Sequence, residues 1–143
     1  MQLPGLTIGI VADDLTGACD TALQFFKIGC DAHVLLESSS IAYENHESNQ
    51  VWVVNTESRH ISKHAATAKV RDAVARLKTH YEAELFYKKM DSTLRGSFTS
   101  ECLAMVDELG WDCAVVAPAY PQEWRQTVGG YQLVHGIPVE QAE

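Results

Sequence analysis

Short β-branched apolar runs, each broken off by a polar cluster and followed by helical spacing, recur along this chain. Thr7-Ile8-Gly9-Ile10-Val11-Ala12 stops at Asp13-Asp14, and over 16–28 the residues Ala18, Ala22, Phe25 and Phe26 return at helical spacing until Gly29 ends the pattern. An apolar run without polar alternation marks a strand covered on both faces, and glycine is a natural helix stop. The unit repeats. A strand over 33–36 and a polar stretch over 37–50 lead to the strand Val51-Trp52-Val53-Val54 and the loop Asn55-Thr56-Glu57-Ser58-Arg59. Ser62 then begins a helix with Val70, Ala73, Val74, Leu77 and Tyr81 on one face. Next come a strand over 85–90, the loop Asp91-Ser92-Thr93-Leu94-Arg95-Gly96 and a helix over 98–109 stopped by Gly110. A fifth strand is expected at Cys113-Ala114-Val115-Val116-Ala117, ended by Pro118, and residues 122–143 read as a loop and a hairpin turning at His135-Gly136. Strands alternating with helices demand right-handed crossovers. The predicted fold is therefore α/β, a three-layer sandwich with a mainly parallel sheet of about five strands.

The 143 residues suit one domain, read as residues 1–143, and 46% hydrophobic with 21% charged residues is an ordinary globular composition. Eleven Lys and Arg against nineteen Asp and Glu give a formal charge of -8, which argues against nucleic acid and anionic membranes as partners. No basic residue precedes the first apolar run, and that run is too short and glycine-broken for a signal peptide or a membrane span. A cytoplasmic protein is expected. Cys19, Cys30, Cys102 and Cys113 form no C-x-x-C pair and sit among apolar segments, as free buried thiols do. His60 and His64 lack a third ligand, so no metal site is expected.

In parallel sheets the ligand lies beyond the carboxyl ends of the strands. The polar clusters at 13–14, 55–59, 88–95 and 118–127 all fall at that edge, where Arg59, Lys88, Lys89, Arg95 and Arg125 gather five of the eleven cations of an acidic protein. Asp13 and Asp14 repel each other and so need a role: binding a cation, accepting a substrate hydroxyl or acting as base. The plainer alternative is that Asp14 caps the helix that follows. The segment Lys88-Lys89-Met90-Asp91-Ser92-Thr93-Leu94-Arg95-Gly96 packs three cations, one carboxylate and two hydroxyls into nine residues, which suits a small anionic, hydroxylated ligand. Successive strand residues face opposite ways, so Lys88 and Lys89 cannot both face the same ligand. The plainer reading of Arg95 is a surface ion pair.

No G-x-x-x-x-G-K-[ST] and no G-x-G-x-x-G follows any strand, so no site for a nucleotide triphosphate is visible. Phospho-receiver domains also carry paired aspartates after the first strand, but Asn55 and Ala117-Pro118 stand where those domains need an aspartate and a lysine.

Four motifs, taken in order, resemble the N-terminal domain of the four-carbon acid sugar kinase family. They are Ala12-Asp13-Asp14-Leu15-Thr16-Gly17-Ala18, Asn55-Thr56-Glu57-Ser58-Arg59, the segment from Lys88 to Gly96, and Pro118-Ala119-Tyr120-Pro121. The resemblance covers essentially the whole chain and roughly the first third of a family member, and Trp124 stands where the family commonly has glycine. It implies phosphorylation of tetronates such as D-erythronate, D-threonate or their 3-oxo forms. ATP and Mg2+ then belong to the complete enzyme, with ATP held by a separate C-terminal domain absent from this chain. The resemblance implies substrate contacts from Asp13, Asp14, Arg59, Lys88, Lys89, Met90 and Asp91; Ser92, Arg95 and Arg125 join them from the same edge.

The expectation is thus the sugar-acid-binding portion of an ATP-dependent kinase, inactive alone. Arginines and a lysine would clamp the carboxylate while Asp13, Asp14 or Asp91 accepts the hydroxyl proton, the choice among the three staying open. A nucleotide-binding domain or a second copy of the chain would be the partner. The alternative is a stand-alone or remnant binding domain without catalysis. Arg59 and Asp91, as residues of polar loops, are expected to tolerate Arg59→Ala and Asp91→Asn without unfolding.

Overall fold

The computed structural model describes residues 5–36 and 48–142, so most of the polar stretch expected over 37–50 lies outside the described residues. In chain order it contains β1 (Thr7–Ala12), α1 (Leu15–Lys27), β2 (Asp31–Leu35), β3 (Gln50–Asn55), α2 (Lys63–Thr79), β4 (Leu85–Lys89) and α3 (Phe98–Leu109). The helix ends follow local chemistry. Asp14 caps α1 and Ser62 caps α2, each accepting from the amide three residues on, while Gly110 ends α3 at a left-handed φ of 67°.

The four strands form one parallel sheet in the order β2-β3-β1-β4. Alternate side chains divide the core in two. Ile10, Ala12, Val51 and Val53 pack with Ala18 and Ala22 of α1, whereas Val11, Trp52 and Val54 pack with Val70, Val74 and Leu77 of α2 and Met105 of α3. Burying each Val, Ile or Leu contributes about 1.5 to 3 kcal/mol, so two apolar faces close the three layers foreseen from sequence. The register places Ala12 beside Asn55 on one side and beside Lys89 on the other. Three polar loops therefore start from one line.

The expected fifth strand is absent. Residues 113–117 belong to no ladder, and Val115 is 93% exposed. Trp111, just before this segment, packs edge-on against Phe86 of β4, with ring centroids 6.1 Å apart. An apolar run becomes a strand only where a sheet edge accepts its backbone. Beyond it, β5 (Arg125–Val128), β6 (Tyr131–Val134) and β7 (Ile137–Pro138) form a small antiparallel sheet. Its turns fall at Gly129-Gly130 and at the expected His135-Gly136, both residues of each pair having positive φ, as two-residue hairpin loops require. Trp124 also has a positive φ, 57°, which explains why glycine suits that position; its ring stacks on His135.

All four cysteines are free, but Cys30 alone is buried; Cys19 and Cys113 are exposed, one on the outer face of α1 and the other in the unpaired segment. His60 lies in the turn before α2, so His60 and His64 do not share a helix. Among the described residues no helix is long and apolar enough to cross a membrane.

Candidate functional site

The loop after β3 is stitched onto the end of β1. The Thr56 amide and hydroxyl both donate to the Ala12 carbonyl, the Thr56 and Ser58 hydroxyls bond at 2.7 Å, and the amides of Ser58 and Arg59 donate to the Asp13 carbonyl. Thr56 and Ser58 are buried. Sequence reading saw them as part of a polar loop and missed this role, which needs the β1–β3 pairing to become visible.

That stitching delivers Arg59 to both aspartates. Its Nε and Nη2 donate to the two Asp13 carboxylate oxygens at 2.9 and 3.0 Å, and its Nη1 donates to Asp14 Oδ2 at 2.6 Å. Asp13 is 3% exposed and does not line the cleft described below, whereas Asp14 lines it. Asp14 also caps α1 through a 2.9 Å bond from the Gly17 amide, so capping and ion pairing coexist in one carboxylate. A Cβ on Gly17 would lie 2.7 Å from Asp14 Oδ1, and one on Gly96 would lie 2.9 Å from the Arg59 carbonyl oxygen. These two glycines let the loops close around Arg59.

β4 separates the two lysines. Lys88 turns to the α3 side, where its ammonium lies 2.8 Å from Glu101 Oε2 and donates to the Lys89 carbonyl; the two side chains are 7% and 1% exposed. Lys89 turns to the α1 side beside Gly17, donates to the Met90 carbonyl at 2.8 Å, and has no carboxylate partner among the described residues. Glu101 was missed by sequence reading, because an acidic residue in a first helical turn reads as an ordinary dipole partner.

The 91–95 turn is closed by Asp91. Its carboxylate accepts from the Thr93 hydroxyl, from the Arg95 amide at 3.3 Å and from the Arg95 guanidinium. Burial alone would raise the Asp91 pKa, but the hydrogen bonds from Arg95 and Thr93 and the charge of Arg95 outweigh it and hold the carboxyl well below the usual carboxylate range. The folded pKa therefore lies below the unfolded one. The stabilisation is present in full above about pH 4 and is lost as pH falls below it. Because the Arg95 side chain is 62% exposed, water screens the pair and limits its worth to about 1 kcal/mol. Urea denaturation should show wild type losing about 1 kcal/mol more than Asp91→Asn between about pH 5 and pH 2. Identical acid limbs would show that the pair contributes nothing.

These loops surround a cleft of about 1260 Å³ at the carboxyl edge of the sheet, lined by Asp14, Arg59, Lys88, Lys89, Met90, Asp91, Ser92, Arg95 and Arg125. All ten residues singled out from sequence, Asp13 excepted, meet there. Segment 113–120 forms the far wall, and Arg125 pairs with Glu123 at 3.1 Å. Charge is nearly balanced: Arg59 answers Asp13 and Asp14, Arg95 answers Asp91, and Glu101 answers Lys88. Among the described residues Lys89 is left as the basic side chain of the cleft with no carboxylate ion-pair partner.

Residues 8–143 match the family described as sugar-binding N-terminal domain. The chain is 42% identical over 135 residues to the D-erythronate kinase of Heliobacterium modesticaldum, covering 94% of this chain and 30% of that protein. It is 36% identical over 134 residues to the D-threonate kinase of Salmonella typhimurium, covering 94% of this chain and 31% of that protein. A domain of unknown function from Bordetella bronchiseptica, crystallised with bound citrate as a domain-swapped dimer, shares 39% identity at a TM-score of 0.82, over 94% of this chain and 34% of its own. The chain thus spans about a third of the length of these relatives. With the matched region covering nearly every residue and the fold shared, the chain belongs to the family of sugar-binding N-terminal domains.

Proposed function

We propose that this chain binds a four-carbon sugar acid in the cleft and is the sugar-acid-binding portion of an ATP-dependent kinase. The observation that carries this is Lys89: a cation with no carboxylate ion-pair partner among the described residues, lining the cleft together with Ser92 and Asp14, where the other basic side chains, Arg59, Lys88, Arg95 and Arg125, each pair with a carboxylate. A ligand with one carboxylate and several hydroxyls complements that set. Citrate, bound by the Bordetella bronchiseptica relative, is a hydroxy-carboxylate of the same chemical class.

In this reading Lys89 takes the substrate carboxylate, and Asp14 accepts a hydrogen bond from the reacting hydroxyl and then its proton. Asp13 stands behind Arg59, away from the cleft, and Asp91 is held so firmly anionic that it is a weak proton acceptor. Arg59 and Lys88 position the loops, Arg95 orients Asp91, and Met90 and Arg125 line the wall. The complete enzyme takes its phosphoryl group from ATP with Mg2+. The α1 N-terminus does not suit a phosphate: Asp14 already occupies the Gly17 amide and places a negative charge where an anion would sit. In this reading the nucleotide is held by the remainder of a longer protein, with cytoplasmic ATP as co-substrate, or by a partner. A second copy of the chain is the other candidate partner, since the citrate-bound relative is a domain-swapped dimer.

Calorimetry with D-erythronate, D-threonate, their 3-oxo forms and ATP tests the reading. At least one sugar acid should bind and ATP should not. Lys89→Met should weaken sugar-acid binding by roughly tenfold to a hundredfold, the loss of one charge-assisted contact. No heat with any sugar acid from folded protein would sink the proposal, and heat with ATP would misplace the nucleotide.

A further inference from the structure

The small antiparallel sheet has a single buried residue, and it is polar. Across β5, β6 and β7 every side chain is exposed or half-exposed except Gln132, at 6%. A sheet that buries one position normally buries an apolar one there, because a polar group taken from water costs free energy unless it is hydrogen-bonded. Gln132 is fully engaged. Its Nε2 donates to the Ser92 carbonyl at 2.7 Å and lies 3.5 Å from the Pro118 carbonyl, while its Oε1 accepts from the Thr127 hydroxyl at 2.6 Å. Two carbonyl oxygens on one side demand the NH2 there, which fixes the amide orientation. Thr127 is the registered cross-strand neighbour of Gln132, so the hairpin itself holds that orientation.

The partners are the tips of two cleft loops. Ser92 sits inside the Asp91 turn, whose backbone is otherwise closed by the Leu94 amide on the Asp91 carbonyl and the Arg95 amide on the Asp91 side chain. Pro118 belongs to the far wall, and Arg125 enters the cleft from β5 of the same hairpin. One side chain thus joins three of the segments that define the cleft.

We infer that Gln132 is a positioning residue for the sugar-acid site, its amide setting how the 91–95 turn stands against the hairpin that carries Arg125. The inference rests on the sugar-acid reading above. Glutamate is the informative replacement. As a carboxylate it accepts from Thr127 but repels the Ser92 carbonyl; protonated, it donates to that carbonyl as the amide does. Burial raises a carboxyl pKa, so the protonated form is reached in mild acid, where sugar acids stay ionised.

Gln132→Glu and wild type are compared at about pH 8 and pH 5 for three readouts: affinity for D-erythronate and D-threonate, amide hydrogen exchange at Leu94 and Arg95, and Tm. At the higher pH the variant should bind about tenfold more weakly and exchange Leu94 and Arg95 about tenfold faster, while the Val11 amide in β1 stays as protected as in wild type. At the lower pH affinity and exchange should return to within about threefold of wild type. A lowered Tm with unchanged affinity and unchanged exchange would overturn the inference and leave Gln132 as fold stabilisation alone. Loss of affinity at both pH values without recovery would also overturn it. If wild type binds neither sugar acid, the sugar-acid reading falls, and exchange at Leu94 and Arg95 still decides whether Gln132 sets the turn.

Discussion

Arg59→Ala should cost about 3 to 5 kcal/mol of folding stability, a large share of what a domain of this size possesses. The reason lies in what stays behind. Asp13 is 3% exposed and both its oxygens are bonded to Arg59, so the truncation leaves a buried carboxylate without a partner, and Asp14 loses its ion pair as well. This reverses the expectation drawn from the polar loop, that the substitution would be tolerated. Thermal melting should show a Tm lower by on the order of 10 °C. Arg59→Lys should recover only part of the loss, because an ammonium cannot reach three carboxylate oxygens with a planar fork. An Arg59→Ala variant melting like wild type would show that the ion cluster is no strut, and would return Arg59 to the role of a ligand clamp.

Glu101→Leu should be comparably severe, at about 3 to 5 kcal/mol, because it strands the buried Lys88 ammonium with one carbonyl oxygen as its acceptor. Burying an ion pair is costly in the first place, so replacing both partners by apolar side chains of similar size should restore most of that loss. Lys88→Met combined with Glu101→Leu should therefore melt within a few degrees of wild type and, with Lys89 intact, keep its sugar-acid affinity within about threefold. If the double variant folds well but no longer binds, Lys88 itself touches the ligand. If it melts no higher than Glu101→Leu, the pair does more than satisfy its own charges. Urea denaturation and calorimetry on the three variants separate these outcomes.

The architecture was legible because it is written in consecutive residues. Short β-branched apolar runs, helical spacing, Asp14 and Ser62 as caps and Gly110 as a stop act over a few positions, and a parallel sheet then carries every strand end to the same edge. Hence Asp14, Arg59, Lys89, Asp91 and Arg125 could be placed at one cleft before any contact was known. The parity of Lys88 and Lys89 was legible too. Which of them met a carboxylate was not, because that depends on α3 covering one face of β4 with Glu101 turned inward.

Tertiary structure alone decided the rest, for the same reason throughout: the partner lies far along the chain. Arg59 is set by aspartates 45 and 46 residues away, and Gln132 reaches a carbonyl 40 residues away. Residues 113–117 have the composition of a buried strand, yet they join no ladder, because a strand forms only where a sheet edge accepts its backbone and the run itself does not decide that. Sequence determines what each segment is able to become and where polar chemistry leaves the sheet. The through-space distances between remote side chains decide which charges are cancelled by an ion pair, as Lys88 is by Glu101, and which, like Lys89, have no carboxylate ion-pair partner among the described residues.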